Sequence, residues 1–251
     1  MIDTLYSSPT APNSSVPNPS SNSTTDLPLL TALSRAHGPA NGTALTTAIL
    51  AHNPIWTAST PRLKIWTDIV RIAHTKRLLI HPDTHVSRAG PCCTHTDGNA
   101  WFDDGNFSVA NWTRGLNYVA RWARNHSNIV SIGLRNEVRE SWLPGALEER
   151  GYNWVNYVGN MSLGAQAVWE GNPDLLIGWG GLGAGEDVSA LTAGRNLWTA
   201  ECYRCNVFRD GWRRQSSVVD LGAVPWGGKV VWEVRLDGGS EVVDTESCRV
   251  I

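Results

Sequence analysis

Four short apolar runs set the limits on what this chain can fold into. They lie at residues 77–80 (RLLI), 129–134 (IVSIGL), 175–179 (LLIGW) and 229–236 (KVVWEVRL). Apolar runs of this length, the second of them rich in β-branched residues, read as strands buried on both faces. Each of the first three follows a helical pattern. Residues 61–76 put Leu63, Trp66, Val70 and Ala73 on one face with Ile69 beside them, Thr60 as the cap and Pro61 in the first position. Residues 111–127 bury Leu116, Val119, Ala120, Trp122 and Ala123, and residues 152–170 run into the stop signal Gly171-Asn172-Pro173. A shorter helix is expected over residues 44–51. Alternation of this kind means parallel strands joined by helical crossovers. An open doubly wound sheet and a (β/α)8 barrel both satisfy it. No GxGxxG follows any of the strands, which argues against a dinucleotide enzyme.

The chain of 251 residues is long enough for one large α/β domain. Residues 1–28 are rich in Ser, Pro, Asn and Thr without periodicity and read as an exposed coil, leaving residues 29–251 as the folded domain. A net charge of −2 argues against a nucleic-acid partner. No apolar run approaches the ~20 residues that cross a membrane. Seven Asn-x-Ser/Thr sequons, at Asn13, Asn22, Asn41, Asn106, Asn111, Asn125 and Asn160, favour a secreted glycoprotein. The amino terminus shows no signal peptide, so the sequence reads as an incomplete version of a secreted protein. Five cysteines fit an oxidising compartment, with loop-stapling disulfides expected among Cys92, Cys93, Cys202 and Cys205 and an odd thiol at Cys248. His81, His85, Cys92, Cys93 and His95 match no common zinc spacing, and neither a metal nor another cofactor is expected.

The second run stops abruptly at Arg135-Asn136-Glu137. A strand ending in an amide and a carboxylate places both at the C-terminal tip, where ligands gather in β/α architectures. The polar loop over residues 91–104 is too elaborate for a plain connection and is expected to carry function. Thirteen Trp against three Phe make indole the dominant aromatic surface. Flat indole faces suit sugar rings, although Trp also serves cores well. Trp112 and Trp154 fall on helices and read as core. Trp101 and Trp142, in loops after strand ends, are candidates for sugar stacking, and Trp179 at a strand tip is open to either role.

Taken in order, the strings HVSRAG from His85, CCTHTDGN from Cys92, WFDD from Trp101, NWTRGL from Asn111, LRNE from Leu134 and NPDLLI from Asn172 resemble fungal secreted family 5 glycoside hydrolases. The resemblance spans roughly residues 29–244 and is densest from His85 to Ile177. It implies a (β/α)8 barrel acting by a retaining mechanism on β-linked polysaccharides or glycosides, as a monomer. It places Glu137 as the acid/base, Asn136 beside it at the sugar 2-hydroxyl, and His85 as the site histidine with Asp83 just before it. Retention needs two carboxylates, one to protonate the leaving oxygen and one to attack the anomeric carbon. By the same resemblance the nucleophile belongs to strand 7. The run at 229–236 matches strand 6, so about strands 2–6 are expected here and the nucleophile is expected to be missing. The family's His-x-Tyr on strand 6 is replaced by Arg235 and Asp237. Glu233, on the same strand, is expected to be a salt-bridged structural acid.

Overall fold

A computed structural model describes residues 26–86, 93–144, 151–188 and 221–233, together with the short strands Leu197–Thr199 and Gln215–Ser217. The expected coil over residues 1–28 lies almost wholly outside the described residues, as do Arg235, Asp237, Cys92, Cys202, Cys205 and Cys248.

The described chain opens with a helical hairpin, α1 (Leu29–His37) and α2 (Pro39–His52), where only a short helix was expected. Gly42 lets the two helices touch: a Cβ there would lie 2.5 Å from the Ser34 backbone. The next helix, α3 (Arg62–Thr75), falls where the apolar period puts it. Its cap differs from expectation. Thr60 accepts from Thr57 N instead, and the α3 amide of Leu63 donates to the Asp26 carboxylate at 3.0–3.2 Å. A partner 37 residues away is invisible to local capping rules.

The strand expected at residues 77–80 is corrected. Leu78 and Leu79 are 58% and 71% exposed, and pairing is confined to parallel bridges at Ile80–Ile129 and Asp83–Gly133. Pro82 lies between the bridges and has no N–H to give the ladder, although its carbonyl accepts from Gly133 N. Next come α4 (Val109–Ala123), β1 (Ser131–Gly133), α5 (Trp154–Gly171), β2 (Leu176–Trp179), β3 (Leu197–Thr199), β4 (Gln215–Ser217) and β5 (Val230–Trp232). The last strand falls within the expected run, whose residues 234–236 lie outside the described residues.

β1 pairs with β2 and β2 with β5, all parallel, with the 80–83 segment beside β1. Spatial order therefore follows chain order. α4 and α5 pack on one another: Asn117 Nδ2 donates to Ala167 O at 2.9 Å. Successive crossover helices thus share one face of the sheet. A doubly wound sheet would reverse its strand order and send helices to both faces. The described residues form an arc of a (β/α) barrel.

The core lies between sheet and helices, built from Trp112, Leu116 and Val119 of α4, Tyr157, Met161 and Val168 of α5, and Ile132, Ile177 and Trp179 from the strands. Strand alternation turns Ser131, Gly133 and Gly178 to the opposite, inner face. The small residues there leave room for polar groups at the strand ends.

Candidate active site

Beyond β1 and β2 the chain opens a cavity of about 220 Å³ lined by Arg135, Asn136, Glu137, Gly180, Gly181, Ala184, Gly185 and Glu233. It lies at the C-terminal ends of the parallel strands, where backbone groups leave the ladder and become available to a ligand. Asn136 is held by its own N–H, donating to Thr84 O at 3.0 Å. Its amide Nδ2 lies 3.4 Å from His85 Nε2, and His85 Nδ1 is 3.1 Å from Asp83 Oδ2. With Nδ2 donating to Nε2, the ring proton sits on Nδ1 and faces Asp83. Asn136, His85 and Asp83 therefore form one chain of contacts beside Glu137. His85 is exposed and Asp83 partly so, which leaves this chain orienting side chains more than stabilising the fold.

Glu137 is half-buried, with φ +45°. The left-handed region costs a non-glycine residue roughly 1–2 kcal/mol, so the surroundings must hold it there. Sequence reasoning missed what does so. Arg139, two residues on, is 5% exposed and ties its own segment to the loop over Thr94 and Asp97. Nη1 donates to Glu137 O at 2.9 Å, Nε to Thr94 O at 2.9 Å, and Nη2 to Asp97 Oδ2 at 2.5 Å. Asp97 also accepts from Thr94 N and Asn99 N. The sequence around Arg139 is mostly polar and does not mark it, and only the turn-forming Asp97-Gly98-Asn99 is legible locally.

Glu233 is the second carboxylate lining the cavity. It rests on the inner face of the sheet, so close that a Cβ on Gly178 would lie 1.6 Å from its Oε1. It faces His81 Nε2 at 2.8 Å, while His81 Nδ1 meets Ser131 Oγ at 2.6 Å. The Glu233 carboxylate raises the His81 pKa above its ordinary value, outweighing the opposing effect of burial. Glu233 is thus the ion-paired acid that its strand position suggested.

The aromatic candidates divide. Trp142 is 58% exposed, and its ring stacks on His95 at 3.9 Å and 8°. Trp142 N donates to His95 O, His95 Nδ1 to Glu140 O, and Trp142 Nε1 to Glu140 Oε2, which fixes the indole as a flat, outward shelf. Trp101 is corrected as a stacking platform: it is 1% exposed and packs edge-on against Phe102 and Tyr152. Its loop turns inward because the Asp104 carboxylate accepts from Ala100 N and Ser141 Oγ. Trp179, open to either role by its strand-tip position, goes to the core and not to a sugar-stacking role. Strand alternation turns it to the helix side with Ile177, fully buried against Trp226 and Trp232. Trp112 and Trp154 are in the core as expected.

Cys93 is disulfide-bonded. Among the described residues no cluster of three His, Cys, Asp or Glu could hold a metal ion, and no helix is long and apolar enough to cross a membrane.

No protein-family model matches the chain. Over 109 residues, 43% of this chain, it is 34% identical to a protein of Chamaecyparis obtusa named glycosyl hydrolase 5 family protein. That stretch spans 18% of the relative's length. The resemblance carried by the sequence strings and this match point to the same family. Among solved structures, an endocellulase of Pyrococcus horikoshii aligns over 53% of this chain and 35% of its own, at 22% identity and a TM-score of 0.41. A β-glucanase of Saccharophagus degradans aligns over 72% and 43%, at 9% identity and a TM-score of 0.43.

Proposed function

We propose that this chain is by descent a secreted family 5 glycoside hydrolase acting on β-linked glucans or related glycosides, with Glu137 as its acid/base. One observation supports the reading above others: Asn136 and Glu137 leave β1 together into a strand-end cavity, with His85 against the Asn136 amide. In this role Glu137 protonates the leaving glycosidic oxygen and later takes a proton from water. Asn136, oriented by His85 and Asp83, offers its amide to the sugar 2-hydroxyl. The Trp142 shelf presents an apolar face to a pyranose ring, whose C–H side stacks on indole while its hydroxyls stay in water. The sequons and the bonded Cys93 support an extracellular setting.

A second reading is favoured by Glu233. A retaining nucleophile must reach the anomeric carbon from beside the acid/base, whereas the Glu233 carboxylate lies against Gly178 on the sheet, 2.8 Å from His81 Nε2. A carbohydrate binder without turnover is consistent with that arrangement. Hydrolysis of an aryl β-glycoside by the purified chain separates the two. Turnover abolished by Glu137→Gln supports the enzyme, and turnover that survives this substitution sinks the assignment of Glu137. Quenching of indole fluorescence by cello-oligosaccharides, lost in Trp142→Ala, with no turnover in the native chain, supports the binder.

A further inference from the structure

We propose that Arg139 is a positioning residue for Glu137, aiming its carboxylate by clamping the backbone that carries it. The inference rests on reading Glu137 as the acid/base, and it deepens that reading. A guanidinium presents five N–H donors in a rigid planar fork, so one side chain can bind several fixed acceptors at once. Arg139 uses it to tie three separate places: the Glu137 carbonyl, the Thr94 carbonyl and the Asp97 carboxylate. Asp97 is itself fixed by backbone N–H groups of Thr94 and Asn99, so the anchor belongs to the preceding loop. The backbone on either side of Glu137 is pinned as well, with Asn136 N donating to Thr84 O, Arg139 N to Ala100 O and Ala184 N to Val138 O.

The ion pair is largely shielded from solvent, with side chains 6% and 15% exposed. Buried pairs of this kind give little net stability over apolar replacements of the same shape. What this one accomplishes is geometric. Glu137 has φ +45°, and a residue released from that state returns to negative φ and swings its side chain to a new direction. The hydrogen bond to the Glu137 carbonyl opposes that rotation. A lysine ammonium, as a compact point charge, cannot hold all three acceptors in the same plane.

Steady-state kinetics on an aryl β-glycoside test the proposal, below the melting temperature of each variant. Arg139→Lys should lower kcat by roughly 10- to 100-fold, the scale of a misplaced catalytic group, while KM stays within about twofold. An unchanged kcat, or a loss confined to KM, overturns it. A second measurement needs no turnover. Glycine carries no Cβ penalty at positive φ, so Glu137→Gly should raise the melting temperature by a few degrees in the native background. In an Asp97→Asn or Arg139→Lys background the segment has relaxed, and that gain should vanish. Equal gains in both backgrounds overturn the clamp. A native chain without any turnover counts against the glycosidase reading alone, and the melting cycle still decides the clamp.

Discussion

At the residue scale, the inner face of the sheet depends on what is absent from Gly178. The Glu233 carboxylate occupies the space a side chain would fill, and from there it reaches His81. Gly178→Ala must push that carboxylate aside, at about 1–3 kcal/mol, the usual cost of overpacking. The pH dependence gives a finer readout. His81 has a folded pKa above its unfolded one, so the proton it holds stabilises the fold fully below the unfolded value. That contribution is lost as pH rises through the raised folded value. Denaturant unfolding of the native chain should therefore show stability falling as pH rises above about 6.5, the unperturbed imidazole value. Gly178→Ala should flatten that decline; an unchanged slope would mean that His81 draws its shift from elsewhere. His81 is 40% exposed, so solvent screening keeps the effect small.

At the element scale, α3 shows how a helix with a good apolar period still relies on distant partners. Its N-terminal amide is satisfied by Asp26, and its inner side carries Asp68, a buried carboxylate that needs donors of its own. Asp68 accepts from Lys64 Nζ and from Trp56 Nε1, 12 residues upstream, with Arg71 nearby. The hydrogen bonds from Lys64 and Trp56 lower its pKa. A depressed carboxylate contributes stability above its unfolded pKa and loses it as pH falls through the folded value. Asp68→Asn should lower the melting temperature at neutral pH and flatten the acid limb of a stability–pH curve. The measurement is a series of thermal melts from about pH 7 down to about pH 3. Parallel curves for both proteins would remove Asp68 from the account of acid unfolding.

At the scale of the whole molecule, the helices and strands enclose an aromatic core on one side of the sheet and leave polar groups on the other. Trp179 with Trp226 and Trp232 closes the core beneath β2 and β5, so much of the high tryptophan content is structural. The surface fits the proposed secretory setting. Asn41, Asn106 and Asn125 are exposed sequon asparagines, open to an oligosaccharide without disturbing the core. Expression through a eukaryotic secretory pathway should yield a heterogeneous product whose mass falls on treatment with an N-glycan endoglycosidase. A product of unmodified mass from such a host would speak against the extracellular reading.

The chain by itself determined α3, α4, α5 and the places of β1, β2 and β5, because apolar period and stop signals act over a few residues. It also determined that Asn136 and Glu137 stand at a strand tip, since an apolar run ending in polar residues is legible locally. Tertiary structure decided what depends on contacts across the chain. Strand order and the shared face of α4 and α5 distinguished a barrel arc from a doubly wound sheet. Pleat alternation sent Trp179 into the core, and the Asp104 turn did the same to Trp101, while Trp142 stayed outside on His95. Above all, Asp97 and Arg139 stand 42 residues apart, and no local pattern announces that they meet behind Glu137. A salt bridge across that distance depends on the folded backbone, and so does the direction in which the Glu137 carboxylate points.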